Sequence, residues 1–410
     1  MSAAIGASPA GGVSGAAGGG KLDVTSHRDP ARLAALAGEW RALFDAAGAP
    51  SPFLSWEWLH TFQRRLAARR PLWLLEARDP AGALAGVLAL SARPSLVGAR
   101  RWSLLGNGAT GADALDVLAR PADAPAARRA IAQALADAVG HWDLLELEDL
   151  PAGSRTVADL RAALAPSGAR AEVERGFVCP GFAVKGTFEG HLARIRRRET
   201  FLRRVRWLSH QPGYRIEVTT SPRETPAAME DFLRLHRLRW AAEGGSDGIP
   251  TGAIEDFHRE VAPLLAARGW LRLYRLFVGR DAIAAVYGIE VGHRFYYYQS
   301  GYDPAWSPRS PGVVLVGRTV EDAYARGLTD YDFLRGTEAY KLDWAWDRRE
   351  TCTVRVRAPS LRAGTAVAAQ DAFRAARALA RSIAPERIWG ALRRARRSLE
   401  ATALASARGG

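Results

Sequence analysis

The chain has 410 residues, 48% hydrophobic, 24% charged and 9% aromatic, which excludes a wholly disordered, collagen-like or coiled-coil protein. At roughly 150 residues per domain it has length for two or three domains and a sizeable core. Two cysteines, Cys179 and Cys352, exclude a disulfide scaffold or a Cys-rich metal module, and the formal charge of +14 directs attention to anionic partners.

Residues 1–20 are rich in Gly, Ala and Ser and read as a flexible tail, not a signal peptide. Leu33, Leu36, Trp40 and Leu43 fall at helical spacing within 31–47, and a second helix begins near Phe53 with Ser55 as its N-cap. Leu72 to Ala77 and Leu84 to Leu90 read as strands joined by Asp79–Gly82. A strand end at Leu104, a short strand at Leu115 to Leu118, a helix from Pro125 to Val139, a strand from Asp143 to Glu148 and a helix over 153–165 follow.

Glu189 to His210 reads as one charged helix, with Leu192, Ile195, Leu202 and Val205 as its apolar stripe and seven arginines between Arg194 and Arg206 around the rest. A helix from Met229 to Trp240 comes next. Leu271 to Val278 and Ala282 to Glu290 are strands, Arg294 to Tyr302 is a long aromatic strand, Pro311 to Arg326 a helix and Tyr331 to Leu334 a strand. The second half thus repeats the first at an offset of about 190–200 residues, as two copies of one domain would. From Ser360 onward ten arginines face three acids, and Arg374, Arg377 and Arg381 lie opposite Phe373, Ala376 and Ile383. After Pro385 the pattern repeats, so the segment reads as a basic amphipathic pair suited to an anionic membrane or a partner.

Several chemistries are missing. There is no P-loop, no strand followed by G-x-G-x-x-G, no H-E-x-x-H and no G-x-S-x-G elbow, and the eight histidines are scattered. No metal site is expected. Only Lys21, Lys185 and Lys341 among 57 basic residues are lysines, the mark of a GC-rich genome, so arginine is a weak functional marker and Lys341 a stronger one. The informative block is Tyr296 to Trp344. Its loop Pro304 to Gly312 feeds into a helix start, where free N–H groups and the helix dipole attract anions. Arg309 and Ser310 add a charge and a hydroxyl, and Gly312 lets a phosphate approach the backbone.

The block Tyr298-Gln299-Ser300-Gly301-Tyr302-Asp303, then Ser310-Pro311-Gly312, Tyr331-Asp332-Phe333-Leu334-Arg335-Gly336 and Glu338-x-Tyr340-Lys341-x-x-Trp344, resembles the CelD/BioF-like acetyltransferase family. Phe232-Leu233-x-Leu235-His236-x-x-Arg239-Trp240 and Pro52-Phe53-Leu54-Ser55-Trp56-x-Trp58 fit it too, and the resemblance spans roughly residues 30–355. This family is a branch of the GNAT acyltransferases and is related in architecture to the FemABX transferases.

The resemblance implies a tandem GNAT-like α/β fold, each domain a mixed twisted sheet flanked by helices. The expected divisions are a tail over 1–22, domains over 23–180 and 181–358 with the second catalytic, and a basic helical tail over 359–410. It implies an acyl-CoA, acetyl-CoA or another, lying where Arg294 to Tyr302 and Tyr331 to Leu334 splay apart. Arg309, Ser310, Gly312, Val313, Gln299 and Ser300 would then bind the donor, and Lys341, Trp240 and Arg335 the acceptor. The usual Q/R-x-x-G-x-G/A loop is replaced by Ser307–Gly312, which leaves room for a different acyl donor. Asp332, Glu338 and His236 are the candidate bases and Tyr340 the candidate acid.

The implied reaction is N-acylation of a sugar or another small envelope or exopolysaccharide precursor. The setting is cytoplasmic, with a possible peripheral attachment to the inner membrane through the tail. The alternatives are a FemABX-like aminoacyl-tRNA-dependent transferase, or a non-enzymatic protein binding nucleic acid or a membrane surface through its arginine-rich tail. Nucleic acid is otherwise not expected as a partner, and the oligomeric state stays open.

Overall fold

The computed structural model describes residues 21–48, 50–95, 97–241, 249–250 and 252–383. The expected N-terminal tail, the Arg374, Arg377 and Arg381 side chains and the helix after Pro385 lie outside the described residues.

The first half runs β1 (Asp23–His27), α1 (Pro30–Ala35), α2 (Ala37–Ala46), α3 (Trp56–Leu66), β2 (Leu72–Arg78), β3 (Leu84–Arg93), β4 (Arg101–Leu104), β5 (Leu118–Ala119), α4 (Ala124–Asp137), β6 (Leu144–Pro151), α5 (Thr156–Leu164) and β7 (Arg170–Ala183). The second runs α6 (Phe188–Arg194), α7 (Arg198–Ser209), β8 (Arg215–Thr219), α8 (Thr225–Ala241), α9 (Ala253–Ala267), β9 (Leu271–Val278), β10 (Asp281–Val291), β11 (Arg294–Tyr302), α10 (Pro311–Ala325), β12 (Asp330–Asp332), α11 (Ala339–Trp344) and β13 (Asp347–Arg357). The helix α12 (Leu361–Ile383) closes the described chain.

One 13-stranded mixed sheet carries both halves, in the order β1-β2-β3-β4-β6-β13-β7-β12-β11-β10-β9-β8, with β5 paired to β3. Read inward from either edge, the two halves repeat each other. At the centre they exchange their last strands: β13 of the second half pairs with β6 of the first, and β7 of the first pairs with β12 of the second. The exchanged strands also pair with each other, from Asp347 opposite Gly181 to Arg357 opposite Arg170.

Local chemistry accounts for the element ends. The Ser55 Oγ accepts from Trp58 N–H at 3.3 Å and caps α3, as its sequence position suggests. The single helix expected over 189–210 is instead two. Ile195 turns extended (ψ 137°), and its side chain is buried while Arg196, Arg197 and Arg198 stay exposed. The strand expected over Leu115 to Leu118 shrinks to Leu118–Ala119. The last strand of the repeat covers Asp330–Asp332 and stops short of Leu334, where the Asp332 carboxylate accepts the Leu334 N–H at 2.9 Å. Leu334 then enters the left-handed region at φ 56°.

The larger core spans both halves. Trp58 on α3 meets Phe257 on α9 at 5.0 Å and Tyr298 on β11 at 5.5 Å between ring centroids. In the second half α8 and α9 cover one face of the sheet, and α6, α7 and α10 the other, where Val314, Leu315 and Val320 pack with Tyr297, Tyr331 and Phe333. The α8 helix lies so close to β11 that a Cβ at Gly301 would overlap the His236 backbone.

Gly301→Ala therefore will destabilise the fold by roughly 1–3 kcal/mol, the usual cost of overpacking, seen as a lower urea midpoint. Because the halves share strands and a core, tryptophan fluorescence and far-UV circular dichroism will report one coincident transition.

Candidate active site

The β11 and β12 strands run parallel and pair only from Arg294 opposite Asp330 to Tyr296 opposite Asp332. Beyond Tyr296 they diverge, so the edge of β11 over Tyr297–Tyr302 has no strand partner on that side. The β4 and β6 strands of the first half diverge likewise after Ser103 opposite Glu146. There the segment after β4 bridges the gap: Asn107 Nδ2 donates to the Glu148 carboxylate, and Leu115 N–H donates to Asp149 O at 3.0 Å. In the second half the gap opens into a cleft of about 230 Å³.

The loop into α10 forms one wall. Asp303 caps the turn over Pro304–Arg309 through Ala305 N–H at 3.0 Å, and Ser310 follows in the left-handed conformation at φ 53°, ψ 50°. Pro311 brings no N–H, and the first helical donor is Val314, bonded to Ser310 O at 3.2 Å. The N–H groups of Gly312 and Val313 thus lack helical acceptors, and the Ser310 side chain does not cap them. Both residues line the cleft. The Arg239 guanidinium lines it from α8, with Nη1 donating to Ser300 Oγ at 2.6 Å. Tyr340 of α11 closes another side, and burial pushes its phenol well above the usual range, so it stays protonated.

The cleft brings together Ser300, Ser310, Gly312, Val313 and Tyr340 of the residues singled out in the sequence. The others lie elsewhere. The Arg309 guanidinium stacks on Trp207 at 3.9 Å, and Gln299 sits opposite Tyr287 in the β10–β11 pair. Asp332 is buried and pairs with Arg349 at 3.1 Å; burial raises its carboxyl above the usual range, against the pull of Arg349. Glu338 meets the Lys341 ammonium at 3.1 Å, and Lys341 Nζ donates to Arg335 O at 2.6 Å. Arg335 spans the two halves, with Nε donating to Asp113 at 2.6 Å and Nη2 reaching Asp149 at 3.0 Å. Trp240 packs beside Arg239, 4.8 Å from guanidinium to ring.

His236 is buried beneath β11, its Nδ1 3.1 Å from Ser300 O, and burial holds its pKa at about 4. Among the described residues lining the cleft there is neither a carboxylate nor an imidazole. The sequence reading placed Arg239 in a motif without a role. The i,i+3 spacing from His236 was the available signal, since it sets both side chains on the sheet-facing side of one helix. Asp113 and Asp149 had no such signal, because they meet Arg335 only through the fold.

Residues 196–342 match the family model described as an acetyltransferase (GNAT) domain. No curated protein sequence matches the chain. A crystal structure of FemX superposes with a TM-score of 0.55 at 10% identity, covering 81% of this chain and 96% of that one. A conserved protein of unknown function from Bacteroides thetaiotaomicron superposes with a TM-score of 0.50 at 12% identity, covering 79% and 97%. These likenesses are of fold. The family match marks residues 196–342 as a GNAT-type acetyltransferase domain, within a mixed α/β sheet whose two halves repeat each other.

The His236 ring, with its pKa held near 4 against 6.5 for an ordinary imidazole, stays neutral from pH 8 down to about 5.5. Its ring proton shifts in NMR will be flat over that range, and a rate–pH profile will show no inflection that disappears in His236→Gln.

Proposed function

We propose that the chain is an acyl-CoA-dependent N-acyltransferase whose donor lies in the gap between β11 and β12. The observation that carries the reading is the pair of free N–H groups at Gly312 and Val313, opening into a cleft beside an unpaired strand edge. A diphosphate is the natural ligand of a helix start with uncapped N–H groups. The bare edge of β11 suits the amides of a pantetheine arm, which places the thioester where the strands part.

In the transfer, the acceptor nitrogen attacks the thioester carbonyl carbon. The C–N bond forms, the C–S bond breaks, and the nitrogen loses its proton to water. Holding both reactants in one cleft supplies much of the rate. Tyr340, kept protonated by burial, is placed to pass a proton to the departing thiolate while taking one back from water, which has received the proton that the nitrogen released. Since no base lines the cleft among the described residues, the acceptor enters as a neutral amine and the rate rises with pH toward the amine's own pKa.

The motif set from Tyr298 to Trp344 supports the CelD/BioF-like resemblance, and with it an amino sugar or a similar small envelope or exopolysaccharide precursor as acceptor. Under this reading the halves act as domains over 23–180 and 181–358, the second binding the donor and the first, its own gap bridged by Asn107 and Leu115, shaping the acceptor side.

Gly312→Asp tests the donor site without threatening the fold. Gly312 has helical backbone geometry, and a new Cβ would stand 3.4 Å from the Tyr302 ring, an ordinary contact. A carboxylate in the first helical turn adds about 0.3–1 kcal/mol of stability through the dipole. It also occupies the N–H pair with negative charge. The variant will melt no lower than the wild type and will bind acetyl-CoA at least tenfold more weakly by calorimetry. A wild-type protein that binds no acyl-CoA of any chain length overturns the proposal.

A further inference from the structure

Arg239 is the cleft's unexplained group. It occupies the last turn of α8, on the sheet face opposite α10, and reaches the cleft where β11 and β12 part. Its Nη1 bonds Ser300, at 2.6 Å to Oγ and 3.4 Å to O. The rings of Trp240, Tyr302 and Tyr340 stand 4.8, 5.6 and 5.7 Å from its guanidinium. Arg335 holds Asp113 and Asp149, Arg275 holds Glu217 and Asp231, and Arg272 holds Glu290, while Arg93, away from the cleft, bonds Ser103 Oγ and the Asn107 carbonyl. Arg239 has no carboxylate within ion-pair distance among the described residues.

The Arg239 guanidinium is half-buried, with aromatic rings on its sides and its remaining donors toward the cleft. It carries five N–H donors in a fork matched to carboxylate or phosphate, and Ser300 engages one nitrogen of the three. The α10 N–H pair approaches the cleft from the other face, so an anion on Arg239 lies across the gap from a diphosphate on Gly312 and Val313. The reacting carbonyl, at the far end of the pantetheine arm beside Tyr340, then lies near Arg239, whose guanidinium stands 5.7 Å from that ring, and the acceptor enters on the Arg239 side.

We infer that Arg239 is the receptor for an anionic group, a carboxylate or a phosphate, borne by the acceptor amine. The inference rests on the acyl-transfer reading above and names the acceptor class for it. An acceptor so held presents its amine to the gap, and a neutral amine of the same shape lacks the anchor.

The experiment is calorimetry on the full chain with three amines that differ at one position: glucosamine, glucosamine 6-phosphate and 2-amino-2-deoxyglucuronic acid. Each is titrated into the wild type, Arg239→Gln and Arg239→Lys, with acetyl-CoA titrated separately. The wild type will bind at least one anionic amine about 10–100-fold more tightly than glucosamine, the range of a charge-assisted bond. The tighter of the two identifies the anion. In Arg239→Gln that preference will vanish while acetyl-CoA affinity holds. Arg239→Lys will keep a preference for phosphate and lose most of one for carboxylate, whose bidentate match needs the fork. Equal affinities for the three amines in the wild type, or no binding of any, overturn the inference. So does an Arg239→Gln variant that loses acetyl-CoA and not the anionic amine, which would put the guanidinium on the donor's phosphates. Anion preference in a wild type that binds no acetyl-CoA upholds the role of Arg239 and rejects the donor.

Discussion

The structure depends on β11 and β12 separating after Tyr296 and Asp332. Two charge clusters with buried carboxylates flank that separation. Asp332 turns the chain by accepting the Leu334 N–H and is itself held by Arg349 of β13. Arg335, next in line, is clamped by Asp113 and Asp149 of the first half. Removing one partner of a buried pair typically costs about 3–5 kcal/mol, because the other charge is stranded. Asp332 and Arg335 thus lie outside the walls of the cleft, in the segment that follows its point of divergence.

The strand exchange explains why these clamps cross between halves. β13 lies between β6 and β7, and β7 reaches β12, so the parting strand of each half is bordered by the last strand of the other. The two gaps then took different side chains. Asn107 and Leu115 bridge the first to Glu148 and Asp149, while Tyr297, Ser300, Tyr302 and the α10 start leave about 230 Å³ in the second. One architecture yields a bridged seam in one half and an open cleft in the other.

The parts legible in the sequence were those set by local pattern. The hairpins at Asp79–Gly82 and Gly279–Asp281, the β11 strand and the helix opening at Pro311 followed from alternation, turn residues and proline at the first helical position. So did the placing of Ser310, Gly312 and Val313 at the helix start, where they line the cleft. Hidden were features made by distant pairing. The β7 strand, with its exposed run from Glu172 to Phe177, has little of a buried strand's pattern and is held by β13 and β12. The partners of Asp332, Lys341 and Arg335 lie on other elements, so alternation showed these side chains but not what they serve. His236 lay under β11 and not in the cleft, since the near contact of α8 with Gly301 buries it.

A crystal structure of the protein with coenzyme A tests the central claim most directly. The account predicts the diphosphate within about 3 Å of the Gly312 and Val313 nitrogens, and the pantetheine arm along Tyr297–Tyr302 with its sulfur beside Tyr340. Coenzyme A bound anywhere else, with those two N–H groups untouched, would contradict it.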